Sequence, residues 1–197
     1  MNELLIGTSN PGKLREFNAL LSGLNLTLRT PASLGIDLEI AETGLTYKEN
    51  ARIKASSFHC ASGLPVLADD TGLEVTSLGG APGLHSRRFS PHPDATDADR
   101  RALLLEKLSG KPNPWSARFT CTAVLFLTDG NIFFTEGECT GEIIPDERGL
   151  GGFGYDSIFL VEAVGRTMAD LTMHEKNRLS HRAKAVNQLI SLIRKHL

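Results

Sequence analysis

Residues 117–144, ARFTCTAVLFLTDGNIFFTEGECTGEII, constrain the fold more than any other stretch. Two runs rich in β-branched and aromatic residues flank Asp129-Gly130, a dipeptide suited to the reversal of a hairpin. A chain carrying this pair must build an antiparallel sheet. Upstream, strand and helix patterns alternate. ELLIGTS (3–9) reads as a buried strand. Asn10 then caps a helix whose first turn takes Pro11, with Leu14, Phe17, Leu20 and Leu21 at helical spacing. LNLTLRT (24–30) reads as a second strand. Thr46 and Glu49 form a T-x-x-E capping box for a helix that ends at Gly63-Leu64-Pro65. PVLADD (65–70) is a strand running into two carboxylates, and TGLEV (71–75) reads as a separate short strand. Thr96 and Asp99 open a helix reaching about Leu108. Thr172 and Ser180 each cap a late helix, the last with an apolar face of Val186, Leu189, Ile190 and Ile193. The order predicts an α/β chain, residues 1–197 forming a single domain around a mixed, partly antiparallel sheet.

Charge and cysteine usage exclude several functions. A net charge of −2 and a pI near 6.3 argue against a non-specific nucleic-acid binder, which carries a basic face. Cys60, Cys121 and Cys139 are widely spaced with no C-x-x-C pair, which predicts reduced, mostly buried thiols and no zinc site. MNELLIGTSN has neither a basic segment nor a long apolar core, which predicts no signal peptide there. No run approaches the roughly 20 apolar residues of a membrane span. The expectation is a soluble, cytoplasmic protein without a nucleic-acid or membrane partner.

Several short motifs carry chemistry. GTSNPGKL (7–14) has the Gly and Lys of a Walker A loop, but Leu14 stands where that loop needs a metal-binding hydroxyl. A strand feeding a helix through Thr8, Ser9, Asn10, Pro11, Gly12 and Lys13 offers backbone N–H groups, hydroxyls and a cation to phosphate. It is equally readable as a capped helix with a solvated Lys. Asp69 and Asp70 follow an apolar strand, where adjacent carboxylates are costly without a compensating cation. Mg²⁺ is the usual hard partner for such oxygens. Because side chains alternate along a strand, the two must face apart, one free to bind metal or activate water and the other in support. Glu42, in AETG (41–44), is a second metal candidate, whereas Glu49 is already explained by capping. GGFGYD (151–156) puts Phe153 among glycines, as a platform for a base or as a buried turn residue. Lys176, His181 and Arg182 stand at a predicted helix start, where cations are unfavourable unless they answer an anion.

Taken in order, TSNPGK, AETGLTYKENARIKA, LADDTGLEV, LGGAPGLHSRRF, GGFGYDSIF and LSHRAKA resemble the inosine triphosphate pyrophosphatase family, the Ham1-type enzymes that act on noncanonical purine nucleoside triphosphates. The resemblance runs from about residue 4 to about residue 190. It implies hydrolysis of ITP, dITP or XTP to the monophosphate and pyrophosphate, a long mixed sheet with two lobes and the active site in the cleft between them, Mg²⁺, and a homodimer. It assigns Thr8 to Lys13 to the phosphates, with Lys13 on the triphosphate. It makes Asp70 the general base and a metal ligand, Glu42 the second ligand, and Asp69 and Arg88 supporting residues. Thr71 takes a substrate-contact position where Ser is common. Phe153, Gly154, Tyr155 and Asp156 resemble the base pocket, with Lys176, His181 and Arg182 as further substrate contacts. Two positions depart from the family pattern. Ala41 replaces a second acidic residue found in many members, and Arg87 stands where a small residue is usual. Three rivals share some of these motifs: a pyrophosphatase for modified pyrimidine nucleotides, a non-catalytic nucleotide-binding module, and a P-loop kinase or ATPase.

Overall fold

The computed structural model describes residues 2–197. One eight-stranded sheet organises them, in the order β2-β1-β3-β5-β6-β7-β8 with β4 paired to β3. β1 (Glu3–Ile6), β2 (Thr27–Arg29) and β3 (Val66–Val75) run parallel to one another. β4 (Pro82–Gly83), β5 (Trp115–Phe126), β6 (Ile132–Ile143), β7 (Phe159–Val161) and β8 (Arg166–Thr167) pair antiparallel. The helices are α1 (Pro11–Leu21), α2 (Tyr47–Ser62), α3 (Asp97–Leu108), α4 (Met173–Leu179) and α5 (His181–His196). The predicted mixed sheet and hairpin are present, with β5 and β6 joined across residues 127–131.

Strand length makes the two lobes. β5 and β6 pair without interruption from Trp115↔Ile143 to Phe126↔Ile132, so they run through both. At one end the sheet is covered on both faces. α2 packs Ala51, Ala55 and Phe58 on Val66, Ala68 and Val124. On the opposite face α1 and α5 pack Phe17, Leu21, Val186 and Leu189 on Leu67, Ala123 and Leu125. At the other end, Leu104 and Leu108 of α3 join Leu73, Val75, Trp115, Phe119 and Phe159 in a separate core. Burying each such aliphatic side chain contributes about 1.5–3 kcal/mol against chain entropy.

Two expectations are corrected. PVLADD and TGLEV are one strand: β3 pairs with β5 continuously from Val66↔Phe126 to Val75↔Ala117. Asp69 and Asp70 therefore lie mid-strand, held in extended backbone by the β5 ladder. The Thr46–Glu49 box is only half formed. Thr46 accepts from the Glu49 N–H at 3.1 Å, but the Glu49 carboxylate takes the Leu45 N–H at 2.6 Å instead of that of Thr46. The capping boxes at Thr96/Asp99 and Thr172/Glu175 are complete.

One close approach sets the position of α5. A Cβ on Gly137 of β6 would come within 2.2 Å of the His181 carbonyl oxygen and 2.6 Å of the Ala185 nitrogen. The missing side chain lets the first turn of α5 lie directly on the sheet, with His181 and Arg182 projecting over it.

Candidate active site

A cavity of about 420 Å³ opens between the lobes. Its wall on the α1 side is the turn after β1. Asn10 adopts extended backbone and its side-chain oxygen accepts from the Gly12 and Lys13 N–H groups at 2.8 and 3.1 Å. Thr8, Ser9, Asn10 and Lys13 line the cavity, whereas Pro11 is exposed outside it and Gly12 lies beneath Phe153. A Cβ on Gly12 would sit 2.4 Å from the Phe153 ring, so glycine there allows the ring to rest on the start of α1.

Strand alternation separates the two aspartates. Asp69 shares a face with Leu67 and points towards α1 and α5. Lys13 Nζ donates to both its oxygens at 2.9 Å, Arg182 Nη2 donates to it at 3.0 Å, and the Thr71 hydroxyl at 2.7 Å. Burial opposes its ionisation, but Arg182, Lys13 and Lys54 outweigh that and hold it well below the usual carboxylate range. It does not line the cavity. Arg182, 1% exposed, also pairs with Glu16, so its guanidinium is tied into the floor and not left open to substrate as a free fork. Lys176 lies within α4 and not at a helix start; its Nζ pairs with Glu16 and Asp156, each at 2.6 Å. Burial alone would depress Lys176, yet Asp156 and Glu16 raise it above the usual ammonium value.

Asp70 faces α2 and the cavity. Its partners are Lys54 Nζ at 2.7 Å and the Asn50 amide at 3.4 Å. Burial raises its pKa, and Lys54 and Lys13 only partly offset this. Lys54 also donates to Glu42 at 2.9 Å, and Arg88 Nη1 holds the other Glu42 oxygen at 2.8 Å. Burial works against the Glu42 charge, but Lys54 and Arg88 bring its pKa below the ordinary value. An ammonium thus sits between two carboxylates that face one cavity. That is where a divalent cation fits chemically. Mg²⁺ binds through one or two carboxylates and fills its octahedron with water and phosphate oxygens. Among the described residues no group of three or more acidic, His or Cys side chains is placed to hold a metal ion by itself.

At the opposite end lie Phe153, Gly154, Tyr155 and Asp156. The Phe153 ring has Lys176 Nζ at 5.2 Å and Arg182 at 5.9 Å from its centroid. Asp156 accepts the Phe153 N–H at 2.9 Å, and the Tyr155 hydroxyl donates to the Ser86 carbonyl at 2.9 Å. His181 stacks on Phe119 at 4.7 Å between centroids. Burial, with Arg182 and Lys176 nearby, pushes its pKa well below the usual imidazole value. Its Nδ1 is buried without a hydrogen-bond partner among the described residues. Thr71 lines the cavity, and Arg87 and Arg88 are exposed at its edge.

Sequence reasoning missed Glu16 and Lys54. Both had a signal in helical spacing: Glu16 follows Lys13 by three residues on α1, and Lys54 follows Asn50 by four on α2. Charged residues on the inward stripe of a helix point to a partner in the sheet or on a neighbouring element.

The Ham1 family profile matches residues 4–192. The chain belongs to the Ham1 family. Curated relatives cover nearly the whole chain. The dITP/XTP pyrophosphatase of Shigella flexneri is 42% identical over 197 residues, spanning 98% of this chain and 99% of that protein. That of Thermus thermophilus is 43% identical over 189 residues, 95% of this chain and 90% of the relative. Among solved structures, a HAM1 protein from Coxiella burnetii superposes with a TM-score of 0.87 at 38% identity, covering 99% of this chain and all of that one. The Staphylococcus aureus Ham1 protein gives 0.84 at 33% identity, over the full length of both. The Ham1 fold thus accounts for the mixed sheet and the two lobes.

Proposed function

We propose that this chain hydrolyses noncanonical purine nucleoside triphosphates, namely ITP, dITP and XTP, to the monophosphate and pyrophosphate. The observation that carries the proposal is convergence in one cavity of the Asn10–Lys13 turn, the Glu42–Asp70 pair and the Phe153 loop. Each supplies one part of nucleotide recognition, and near-full-length relatives are named dITP/XTP pyrophosphatases.

Lys13 and the N-terminus of α1 hold the triphosphate. Glu42 and Asp70 are the residues to hold Mg²⁺, which when bound neutralises phosphate charge and offsets charge on the pyrophosphate leaving group. Asp70 deprotonates the water that attacks the α-phosphorus in line with the departing pyrophosphate. Asp69 keeps Lys13 and Arg182 in place. Phe153 stacks on the base, and Tyr155, Asp156 and Lys176 fix its loop. His181, whose Nδ1 has no partner among the described residues, faces the purine 6-position, with Arg182 holding the floor beneath it. A donor there pairs with the carbonyl of inosine or xanthosine and meets the amino group of adenine unmatched, at about 1–3 kcal/mol per buried mismatch. On this reading the enzyme clears deaminated purines from the cytoplasmic nucleotide pool, as a homodimer. Sedimentation at micromolar concentration checks the dimer. Among the described residues, no helix is long and apolar enough to cross a membrane.

Turnover of ITP, dITP and XTP against ATP, GTP and dTTP, with Mg²⁺ and then EDTA, tests the proposal. Pyrophosphate and IMP from ITP, lost in EDTA, is the expected outcome. Orthophosphate from ATP, preference for a pyrimidine nucleotide, or tight ITP binding without turnover overturns it.

A further inference from the structure

We propose that Asp97 and Arg101, on the first turns of α3, are positioning residues that set the nucleobase loop and through it the affinity and selectivity for the base. The inference rests on the function proposed above. Gly154 joins Phe153 to Tyr155, and both polar groups of Gly154 end on α3. Its N–H donates to Asp97 Oδ2 at 2.7 Å, and its carbonyl accepts from Arg101 Nη1 at 2.8 Å.

The two side chains are themselves held. Arg100 Nη1 donates to the other Asp97 oxygen at 2.7 Å, and Arg100 Nη2 to the Ala95 carbonyl at 2.6 Å. Arg101 Nε donates to Glu147 Oε1 at 2.9 Å, while Glu147 Oε2 accepts from the Ser157 hydroxyl at 2.9 Å. Glu147 and Ser157 lie on either side of the loop in sequence, so Arg101 holds the loop at its entrance and its centre, and Glu147 ties the entrance to the exit at Ser157. The complete Thr96–Asp99 capping box fixes the start of α3.

Both Gly154 bonds are charge-assisted, and such bonds are roughly twice as strong as neutral ones. Phe153 has a separate anchor in its N–H to Asp156, which holds one side of its backbone. The Gly154 clamp holds the other side. Releasing it leaves the ring anchored at one end and free to turn about the other. Among the described residues the phosphate turn and the Glu42–Asp70 pair share no hydrogen bond with α3, which reaches the phosphate turn through the Phe153 ring resting on Gly12, so loosening the clamp acts first on the base.

The test compares Asp97→Ala, Asp97→Asn and Arg101→Met in the full chain with Mg²⁺. The readouts are kcat and KM for ITP, the ITP-to-GTP ratio of kcat/KM, the inhibition constant of inorganic tripolyphosphate, and Tm. Asp97→Ala and Arg101→Met are expected to raise KM for ITP about tenfold with kcat within about threefold. They lower the ITP-to-GTP ratio and leave tripolyphosphate inhibition unchanged, because tripolyphosphate has no base. Asp97→Asn keeps an acceptor for the Gly154 N–H and restores most of KM. If Asp97→Ala does not fold, Arg101→Met carries the same comparison with the α3 cap intact. Unchanged KM and selectivity in a wild type that prefers ITP overturn the clamp while the proposed function stands. A tripolyphosphate constant that rises in step with KM also overturns it, since α3 then supports the whole cavity. A wild type with no preference for ITP over ATP and GTP overturns the proposed function and the clamp with it.

Discussion

Asp69 and Asp70 share a peptide bond and a strand, yet they face opposite sides of the sheet and meet opposite surroundings. Asp69 is enclosed by Lys13, Arg182 and Thr71, and its oxygens are fully engaged. Its charge is held far below the usual pKa, so it stays an anion and an anchor. Asp70 has one strong cationic partner, borders the cavity and is raised by burial. A carboxylate of that kind keeps lone pairs free and accepts a proton more readily. The difference teaches that neither residue type nor strand position assigns a role. The partners delivered by α1, α2 and α5 do.

The contrast breaks most sharply in catalysis. Asp70→Asn is expected to lower kcat for ITP by about 10³-fold or more, since the amide can neither take the proton nor bind the cation. ITP binding by calorimetry should persist in that variant. Substantial turnover would remove Asp70 from the role of base. Asp69→Asn acts on stability. It leaves the fully buried Arg182 short of a counter-charge, a loss of about 3–5 kcal/mol, seen as a Tm drop on the order of 10 °C. A variant as stable as wild type would contradict the anchor.

Smaller effects sharpen the comparison. Glu42→Gln removes one of the two carboxylates on the Asp70 side and should raise the Mg²⁺ concentration for half-maximal rate by about 10–100-fold. The same change at Asp69 should not shift that concentration comparably. The smallest effect is a slope. His181 sits over the Asp69 face with its pKa depressed in the folded chain. Below its unfolded pKa of about 6.5 the unfolded state binds a proton that the folded state refuses. Its contribution is therefore complete above that pH and is lost as pH falls towards the depressed folded value. The loss approaches about 1.4 kcal/mol per pH unit. His181→Gln should flatten the stability profile between pH 6.5 and 5 in urea titrations, and an unchanged slope would mean that His181 titrates normally.

Much of the molecule was legible because local rules govern it. Asn10 before Pro11 announced α1, and the runs flanking Asp129-Gly130 announced the long hairpin. Alternation alone placed Asp69 and Asp70 on opposite faces. What stayed hidden depends on distant partners. β3 reads as two strands because Asp-Asp-Thr-Gly carries low strand propensity, and only the β5 ladder keeps it extended. Arg182 reads as a free donor because nothing local shows that Glu16 and Asp69 lie beneath it. Helical spacing marks Lys54 as inward-facing, but its partners, Glu42 and Asp70, lie 12 and 16 residues away and stay hidden. The α3 contacts with Gly154 cross 57 and 53 residues and carry no motif at all.

The most direct measurement is hydrolysis of ITP in ¹⁸O-labelled water by the wild type and by Asp70→Asn, with products resolved by mass. A water activated by Asp70 and attacking the α-phosphorus puts one ¹⁸O into IMP and none into pyrophosphate, and the variant does not yield labelled IMP at a comparable rate. Label in pyrophosphate, or orthophosphate as the product, would place the attack on another phosphorus and contradict the account.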